Sequence, residues 1–188
     1  MERSRAEDET SARVASSSTL AEAFELHFDA IYRYAYRRAG ASVAEEVASE
    51  TFARAVARAA TFDPAMGSYR QWLFGIATNV IREYERARLR HLKQPTAATD
   101  FDSLSVDQLI DRLDDTARLD AALARLRPAA REILLLVAGS ELTYEETAHV
   151  LSIPIGTVRS RLSAARGQLL EQLARFDSNA SQKGSASS

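Results

Sequence analysis

The stretch that decides the fold is Leu142 to Leu162, which reads LTYEETAHVLSIPIGTVRSRL. Thr143 and Glu146 fit the S/T-x-x-E pattern, in which two side chains satisfy each other's backbone amides at a helix start. Pro154 and Gly156 then interrupt the chain before a second helical pattern begins. The stretch therefore predicts two helices joined by a tight turn.

The first of these helices and the turn carry their own signals. Tyr144, Ala148 and Leu151 share one predicted face, and Ala148 is small enough for two helices to cross closely beside it. Ser152 lies in the turn, at a position where a left-handed backbone conformation usually favours glycine. We therefore expect Ser152 to adopt that conformation at some energetic cost.

The second helix has two different faces. Apolar residues at helical spacing predict its buried stripe, which comprises Ile155, Val158, Leu162, Ala165 and Leu169. The opposite face presents hydroxyls and arginines, with no acidic residue before Glu171: Thr157, Arg159, Ser160, Arg161, Ser163 and Arg166. Such a face can enter a DNA major groove, where arginine reads guanine edges and hydroxyls contact phosphates or bases. An ordinary helical hairpin with a solvated face is the alternative interpretation.

The charge of the chain is unevenly distributed, although its formal net charge is only -2 at pH 7. Residues 67–93 carry six basic and two acidic residues, whereas residues 94–120 carry seven aspartates and two arginines. Net charge is therefore a poor guide to binding, because a basic segment can still meet phosphates.

Several function classes lack support in the composition. The chain has no cysteine and three scattered histidines, so we expect no metal site, no cofactor and no cysteine nucleophile. The first nineteen residues contain no signal-peptide core, and no apolar run reaches transmembrane length. We therefore expect a cytoplasmic protein without membrane insertion.

Local signals predict an all-α fold. Further pairs of the S/T-x-x-E/Q pattern precede helical segments: Thr19 with Glu22, Ser42 with Glu45, and Ser68 with Gln71. Pro128 suits the first turn of another helix, and Gly40 and Gly139 suit C-terminal caps. No segment shows sustained alternation of polar and apolar residues, so no strand is predicted.

We predict two small helical domains, over residues 18–92 and 116–176. A flexible acidic linker over residues 93–115, rich in aspartate and small polar residues, is predicted to join them. Residues 1–17 and 177–188 are polar and predicted to be disordered.

The run ELTYEETAHVLSIPIGTVRSRLSAARGQL, residues 141–169, closely resembles region 4.2 of bacterial sigma-70 family factors. Its P-x-G-T-V-R-S-R-L motif is especially characteristic of the extracytoplasmic-function (ECF) branch. The resemblance implies a helix-turn-helix that reads the minus-35 promoter element, with backbone amides near Gly156 and Thr157 approaching phosphate. It implies DNA contacts by the following residues: Gly156, Thr157, Arg159, Ser160, Arg161, Ser163 and Arg166.

Residues 20–40 and 45–74 resemble regions 2.1 to 2.3 of the same family. The family signature D/E-x-x-Q-E-x-F appears as EVASETF over residues 46–52, with serine in place of glutamine. The resemblance implies that this helix docks on the clamp helices of the largest polymerase subunit, through Glu45, Glu46, Ser49 and Glu50. Such an acidic patch suits a basic partner surface, although a solvated acidic helix start is an alternative interpretation.

The next segment combines a loop, residues 62–68, with a basic helix. Opening a duplex requires a pocket for an unstacked base, groups that hold it and cations for the strand. The resemblance implies that this loop captures a flipped base of the minus-10 element. The candidate residues are Asp63, Pro64, Ala65, Met66, Gly67, Ser68, Tyr69, Arg70, Asn79, Arg82 and Arg86. Trp72 and Phe74 fit a core better than stacking platforms, and a buried structural amide is the alternative for Asn79.

Together these features predict an ECF-type sigma factor, a promoter-specificity subunit that is not an enzyme by itself. The implied partners are promoter DNA and core bacterial RNA polymerase, contacted through its clamp helices and its flap. An anti-sigma factor is a third candidate partner, which no residue of this chain identifies. The resemblance also suggests the hypothesis that the acidic linker occupies a basic channel of the polymerase.

Other function classes explain less of the sequence. A stand-alone helix-turn-helix repressor or activator, acting as a dimer on duplex DNA, accounts for the C-terminal domain but not for the N-terminal one. A helical nuclease lacks clustered carboxylates or histidines at metal-ligand spacing. A protein that only sequesters another factor does not explain two DNA-facing modules.

Overall fold

The computed structural model describes the backbone of residues 22–92 and 115–185 and the side chains of residues 22–90 and 116–176. Every regular element within these ranges is a helix, which confirms the all-α prediction. The chain divides into two compact units, Met1–Glu83 and Tyr84–Ser188, and the division falls inside a long helix.

Some predictions fall outside these ranges or stay untested. The linker hypothesis and the capping pair of Thr19 with Glu22 involve residues outside the described ones. The domain boundaries named above also remain predictions. None of the helices in the described ranges is long and apolar enough to cross a membrane.

Three α-helices make up most of the part of the first unit that the structure describes. Helix α1 covers residues 22–39, α2 covers Ala41–Ala57, and α3 covers Tyr69–Leu92. Two single-turn 3₁₀ helices, Ala59–Thr61 and Pro64–Met66, connect α2 to α3.

Gly40 separates α1 from α2. Its φ of 99° lies in the range that favours glycine, and its amide donates a 2.8 Å hydrogen bond to the carbonyl of Tyr36. Gly40 therefore ends α1, as predicted. Helix α2 begins directly at Ala41, without a side-chain cap. The predicted capping box of Ser42 with Glu45 is therefore wrong, because Gly40 occupies the capping position and Ser42 is already helical.

Apolar side chains hold the three helices together. Ile31 and Ala35 of α1 are buried. Phe24, earlier on the same helix, is 44% exposed, but its ring lies 4.6 Å from the ring of Phe52 in α2. On α3, the buried apolar residues include Leu73, Ile76, Ala77 and Val80.

A buried polar contact also joins α1 to α3. The hydroxyls of Tyr34 and Thr78 share a 3.0 Å hydrogen bond, and the Tyr34 ring meets Phe74 edge-on at 5.3 Å. Each buried hydroxyl is thereby satisfied, which avoids a desolvation cost of about 1–3 kcal/mol per group. The first half of α3 is consequently held against α1.

Within its described residues, the second unit contains four further helices after the end of α3. These are α4 at Asp115–Ala124, α5 at Pro128–Leu134, α6 at Tyr144–Leu151 and α7 at Ile155–Ser185. A π-helical segment, Leu135–Gly139, extends α5. Helix α7 packs against α4, α5 and α6, so it forms the centre of this unit.

The ends of α5 differ in how well the sequence predicted them. Pro128 is the first residue of α5, as predicted, because its fixed φ and missing amide suit that position. Gly139 was predicted as a cap, but it is the last residue of the π-helical segment. The left-handed residue of the following turn is Glu141, with φ 53°. The predicted cap at Gly139 is therefore wrong.

Helix α7 continues beyond the helix-turn-helix and packs against α4. Phe176 is buried with Ala122, and Leu169 and Leu173 pack against this pair. The guanidinium of Arg125 lies 4.3 Å from the centre of the Phe176 ring, in a cation–π contact. The helical backbone then runs through residues 177–185, which were predicted to be disordered. No proline interrupts α7 there, so the helix can propagate past its last packed turn.

Candidate nucleic-acid interface

The helix-turn-helix starts at the predicted capping box. The Oγ1 of Thr143 accepts a hydrogen bond from the amide of Glu146 at 3.1 Å. The Glu146 carboxylate accepts one from the Thr143 amide at 2.8 Å. Two backbone donors at the start of α6 are thus satisfied, which fixes where this helix begins.

The turn between α6 and α7 has the predicted left-handed residue. Ser152 has φ 54° and ψ 46°. The amide of Ile153 donates to the carbonyl of Ala148 at 3.0 Å, and the amide of Thr157 donates to that of Pro154 at 2.8 Å. These bonds end one helix and start the next within a few residues, so the turn sets the angle at which α7 is presented.

The two faces of α7 are separated as the sequence predicts. Val158, Leu162 and Ala165 are at most 2% exposed and form the centre of the buried stripe. The candidate DNA residues on the other face are exposed, except for Thr157, which is half-buried: Gly156, Arg159, Ser160, Arg161, Ser163 and Arg166. The exposed candidate residues of this helix therefore present mainly cations and hydroxyls to solvent.

The burial of one residue of α6 was not predicted from the sequence. Thr147 is fully buried, and its Oγ1 has no hydrogen-bond partner among the described residues. The predicted face named Ala148 as the close-packing residue, but Ala148 is only half-buried. Helical spacing pointed to the correct side of α6 but could not indicate which residue lies deepest.

The loop between α2 and α3 is fixed by its own residues. The Oδ1 of Asp63 accepts a hydrogen bond from the amide of Ala65 at 2.9 Å, and Pro64 begins the short 3₁₀ helix. Gly67 has φ 147°, a backbone conformation that side-chain-bearing residues rarely adopt, and a Cβ at this position would also displace the end of the Gln71 side chain. This position therefore strongly favours glycine. This geometry projects Met66, which is 68% exposed, into solvent.

The start of α3 is capped as predicted at Ser68. Its Oγ accepts a hydrogen bond from the amide of Gln71 at 3.2 Å. Tyr69 and Arg70, which follow in the first turn, are both half-buried. The candidate minus-10 residues of the loop are therefore followed directly by those in the first turn of α3, whose start is capped.

An aromatic cluster joins the two ends of the loop. Phe62 and Tyr69 stack with ring centroids 3.8 Å apart, and Trp72 lies 5.3 Å from Phe62 and 6.0 Å from Tyr69. Trp72 is half-buried in this cluster, whereas Phe74 is fully buried, as the core interpretation requires. The stacking of Phe62 on Tyr69 was not predicted, although an aromatic residue at each end of a short loop is a usable signal.

The basic helix α3 presents one side to solvent. Asn79 and Arg86 are exposed and are separated by seven residues, so they lie on the same face. The alternative interpretation of Asn79 as a buried structural amide is therefore wrong. Arg82 is half-buried. The distance from Tyr69 to Asn79 along the helix axis is about 15 Å, so the candidate residues form an extended surface.

The acidic residues of α2 differ in their surroundings. Glu45, Glu46 and Ser49 are exposed, whereas Glu50 is half-buried and accepts a 2.7 Å hydrogen bond from Arg54. Arg54 was missed by the sequence reasoning, although its i,i+4 spacing from Glu50 is an ordinary ion-pair signal. Within the described side chains, no group of three histidines or carboxylates could hold a metal ion.

His27 of α1 is buried and lies within the electrostatic influence of Arg70, one of the candidate minus-10 residues. It is 8% exposed, and its Nδ1 has no hydrogen-bond partner among the described residues. Burial lowers the pKa of His27 below its ordinary value of 6.5, and the charge of Arg70 lowers it further. Both effects favour the neutral imidazole in the folded chain.

Comparison with known proteins matches both units to one family. The sequence profile of sigma-70 region 2 matches residues 23–91, and that of sigma-70 region 4 matches residues 116–169. The ECF RNA polymerase sigma factor SigE of Mycolicibacterium smegmatis is 33% identical over 162 residues, which are 83% of this chain and 62% of SigE. EcfG of Rhodopseudomonas palustris is 33% identical over 131 residues, which are 67% of this chain and 68% of EcfG. The chain thus spans less than two thirds of SigE and slightly more than two thirds of EcfG.

A solved structure shares the fold. The sigma factor RpoE of Bartonella quintana, in complex with the anti-sigma factor NepR, superposes with a TM-score of 0.67 at 26% identity. The match covers 82% of this chain and 96% of that one. This chain therefore belongs to the ECF branch of the sigma-70 family, as the region 2 and region 4 matches, the identity with EcfG and the shared helical fold show.

Proposed function

We propose that this chain is a sigma factor that confers promoter specificity on core bacterial RNA polymerase and promotes transcription initiation in the cytoplasm. In this role it supplies DNA-reading surfaces and no catalytic group. The observation that carries the proposal is the exposed arginine and hydroxyl face of α7, which lies opposite a buried stripe in a helix-turn-helix. A solvated hairpin has no need to keep acidic residues off that face.

Helix α7 reads the minus-35 element in this proposal. Its exposed arginines suit guanine edges in the major groove, where a bidentate contact contributes about 1–3 kcal/mol of discrimination. The residues assigned to this role are Gly156, Thr157, Arg159, Ser160, Arg161, Ser163 and Arg166. Ser160 donates a 3.2 Å hydrogen bond to the Thr157 carbonyl, so its hydroxyl oxygen remains able to accept one from DNA.

The loop and α3 open and read the minus-10 element. Asp63 and Gly67 fix the loop backbone, and the exposed Asn79 offers an amide for hydrogen bonds to an unstacked base. The full set assigned to this role is Asp63, Pro64, Ala65, Met66, Gly67, Ser68, Tyr69, Arg70, Asn79, Arg82 and Arg86. Its three arginines suit the phosphates of a separated strand.

Helix α2 docks on the polymerase through Glu45, Glu46, Ser49 and Glu50. The first three are exposed, and the two carboxylates among them suit a basic partner surface. The clamp helices and the flap are the polymerase elements that the family resemblance implies. Because RpoE of Bartonella quintana is found in complex with an anti-sigma factor, we include such a factor among the partners of this chain.

Reconstitution with core polymerase tests the proposal. The purified chain is added to core bacterial RNA polymerase with genomic DNA as template, and the 5′ ends of the transcripts are sequenced. We expect a set of start sites that core enzyme alone does not produce, preceded by two shared sequence elements. Failure to bind core enzyme contradicts the proposal. Tight binding of the chain alone, as a dimer on duplex DNA, supports the repressor or activator alternative instead.

A further inference from the structure

Arg54 of α2 forms ion pairs with two carboxylates, one on its own helix and one on α3. Its Nε donates to Glu50 on the same helix at 2.7 Å, and its Nη2 donates to Glu83 of α3 at 2.8 Å. The side chain of Arg54 is 27% exposed, whereas those of Glu50 and Glu83 are 43% and 47% exposed. The guanidinium is therefore the most enclosed group of the three.

Glu83 lies on the solvent-facing side of α3 together with candidate strand-binding residues. Asn79, Glu83, Arg86 and Arg90 follow one another at spacings of four, three and four residues, and all four are exposed. Such spacing places them on one helical face. An acidic residue thus lies within a surface that is proposed to bind a polyanion.

A bare carboxylate at this position opposes strand binding, because it repels the phosphates that neighbouring arginines attract. The hydrogen bond from Arg54 places a full positive charge against Glu83. Hydrogen bonds to Glu83 and to Glu50 raise the pKa of Arg54 above its ordinary value, so the guanidinium stays charged at every physiological pH. Glu50 also orients the guanidinium, because it fixes the second side of the planar group.

We propose that Arg54 is a positioning residue for strand binding, which acts by neutralising Glu83 within the exposed face of α3. The inference rests on the function proposed above and adds a residue from the polymerase-docking helix to the minus-10 surface. Helix α2 thus supplies a cation to the exposed face of α3.

The inference predicts a specific order of promoter opening among variants that change the charge of Arg54 or Glu83. Holoenzyme is formed with Arg54→Gln, Glu83→Gln or the double variant, on the promoter that yields the most abundant transcript in the reconstitution. The fraction of opened promoter is measured by permanganate reactivity of unpaired thymines at increasing salt. We expect Glu83→Gln to open more promoter than wild type, the double variant to match wild type, and Arg54→Gln to open less.

The salt dependence gives the expected magnitude. The loss of one effective positive charge lowers the slope of log affinity against log salt by about 0.7 for a single strand. The deficit of Arg54→Gln relative to wild type should therefore shrink about five-fold over a ten-fold increase in salt. Arg58→Gln is the matched control, because Arg58 is exposed and lies one turn further along the chain. It removes the same charge outside the ion-pair cluster and should leave promoter opening unchanged.

A merely structural ion pair predicts a different order. In that case Glu83→Gln and Arg54→Gln both lower promoter opening and melting temperature, and the double variant is no better than either. This outcome overturns the inference while the wild-type chain still initiates transcription. A wild-type chain that directs no initiation overturns the proposed function itself, so the two failures are distinguishable.

Discussion

Thr147 shows at the residue scale how a single buried hydroxyl limits stability. Its Oγ1 is fully buried without a hydrogen-bond partner among the described residues. Valine has nearly the same shape and no hydroxyl, so Thr147→Val should raise the free energy of unfolding by about 1 kcal/mol. Urea denaturation of the full chain measures this change.

Thr51 provides the matched control. It is equally buried, but its Oγ1 donates a 2.7 Å hydrogen bond to the carbonyl of Val47. Thr51→Val removes a satisfied group and should give no gain in stability. Equal stabilisation by both substitutions contradicts the explanation, because it shows that the missing partner at Thr147 is irrelevant.

His27 makes stability depend on pH at the same scale. Its pKa is lowered in the folded chain, chiefly by burial and then by the charge of Arg70. The unfolded chain therefore binds more protons than the folded one below about pH 6.5, so stability is full above that pH and falls as the pH drops. The His27→Gln variant, which does not titrate, should lose less stability than wild type between pH 7 and pH 5.

Thermal unfolding at a series of pH values measures the effect. His149→Gln is the control, because His149 is exposed in α6 and its substitution should leave the wild-type pH dependence in place. A His27→Gln profile parallel to wild type over this range is the result that contradicts the assignment.

At the scale of elements, Arg131 links α5 to the end of α4. Its guanidinium donates hydrogen bonds to the carbonyls of Leu123, Ala124 and Leu126, which lie at or just beyond the last turn of α4. Carbonyls at a helix end lack intrahelical partners, so a cation there both caps the helix and complements its dipole.

Arg131→Ala should therefore lower the free energy of unfolding by about 2 kcal/mol, as expected for hydrogen bonds to a charged group. Arg131→Lys should recover only a small part, because an ammonium group cannot reproduce the planar fork. Arg127→Ala is the control, since Arg127 is exposed and makes no side-chain cap to α5. Full recovery by lysine argues against the geometric role.

The turn before α7 offers a second test at this scale. Ser152 has φ 54°, and a left-handed backbone costs a residue other than glycine about 1–2 kcal/mol. Ser152→Gly should raise the unfolding free energy by about 0.5–1 kcal/mol, because the added freedom of glycine in the unfolded chain offsets part of the gain. Ala164→Gly, within α7, should instead lower it by about 1 kcal/mol. A loss of stability at both positions in urea denaturation contradicts the argument.

Across the whole molecule, the features that could be predicted from the sequence are those determined by residues close by along the chain. The capping box of Thr143 with Glu146 and the left-handed Ser152 are set within one or two turns of chain, and both are confirmed. Ser42 had the same local pattern as Thr143, but Gly40 had already ended α1 and taken the capping position. A local pattern therefore predicts a cap only where no stronger helix-ending signal precedes it.

Features that depend on distant residues were not predicted. The bond from Arg54 to Glu83 spans 29 positions, and no periodicity in either helix indicates it. The missing partner of Thr147 likewise depends on which atoms of other helices surround it. The candidate residues of α7 could be named in advance because they all lie on one face of one helix.

The measurement that tests the central claim most directly is a footprint on a promoter mapped by reconstitution. The account predicts protection at the minus-35 element together with permanganate-reactive bases at the minus-10 element, only when the chain and core polymerase are both present. Protection of a two-fold symmetric duplex site by the chain alone, unchanged by core polymerase, would contradict it.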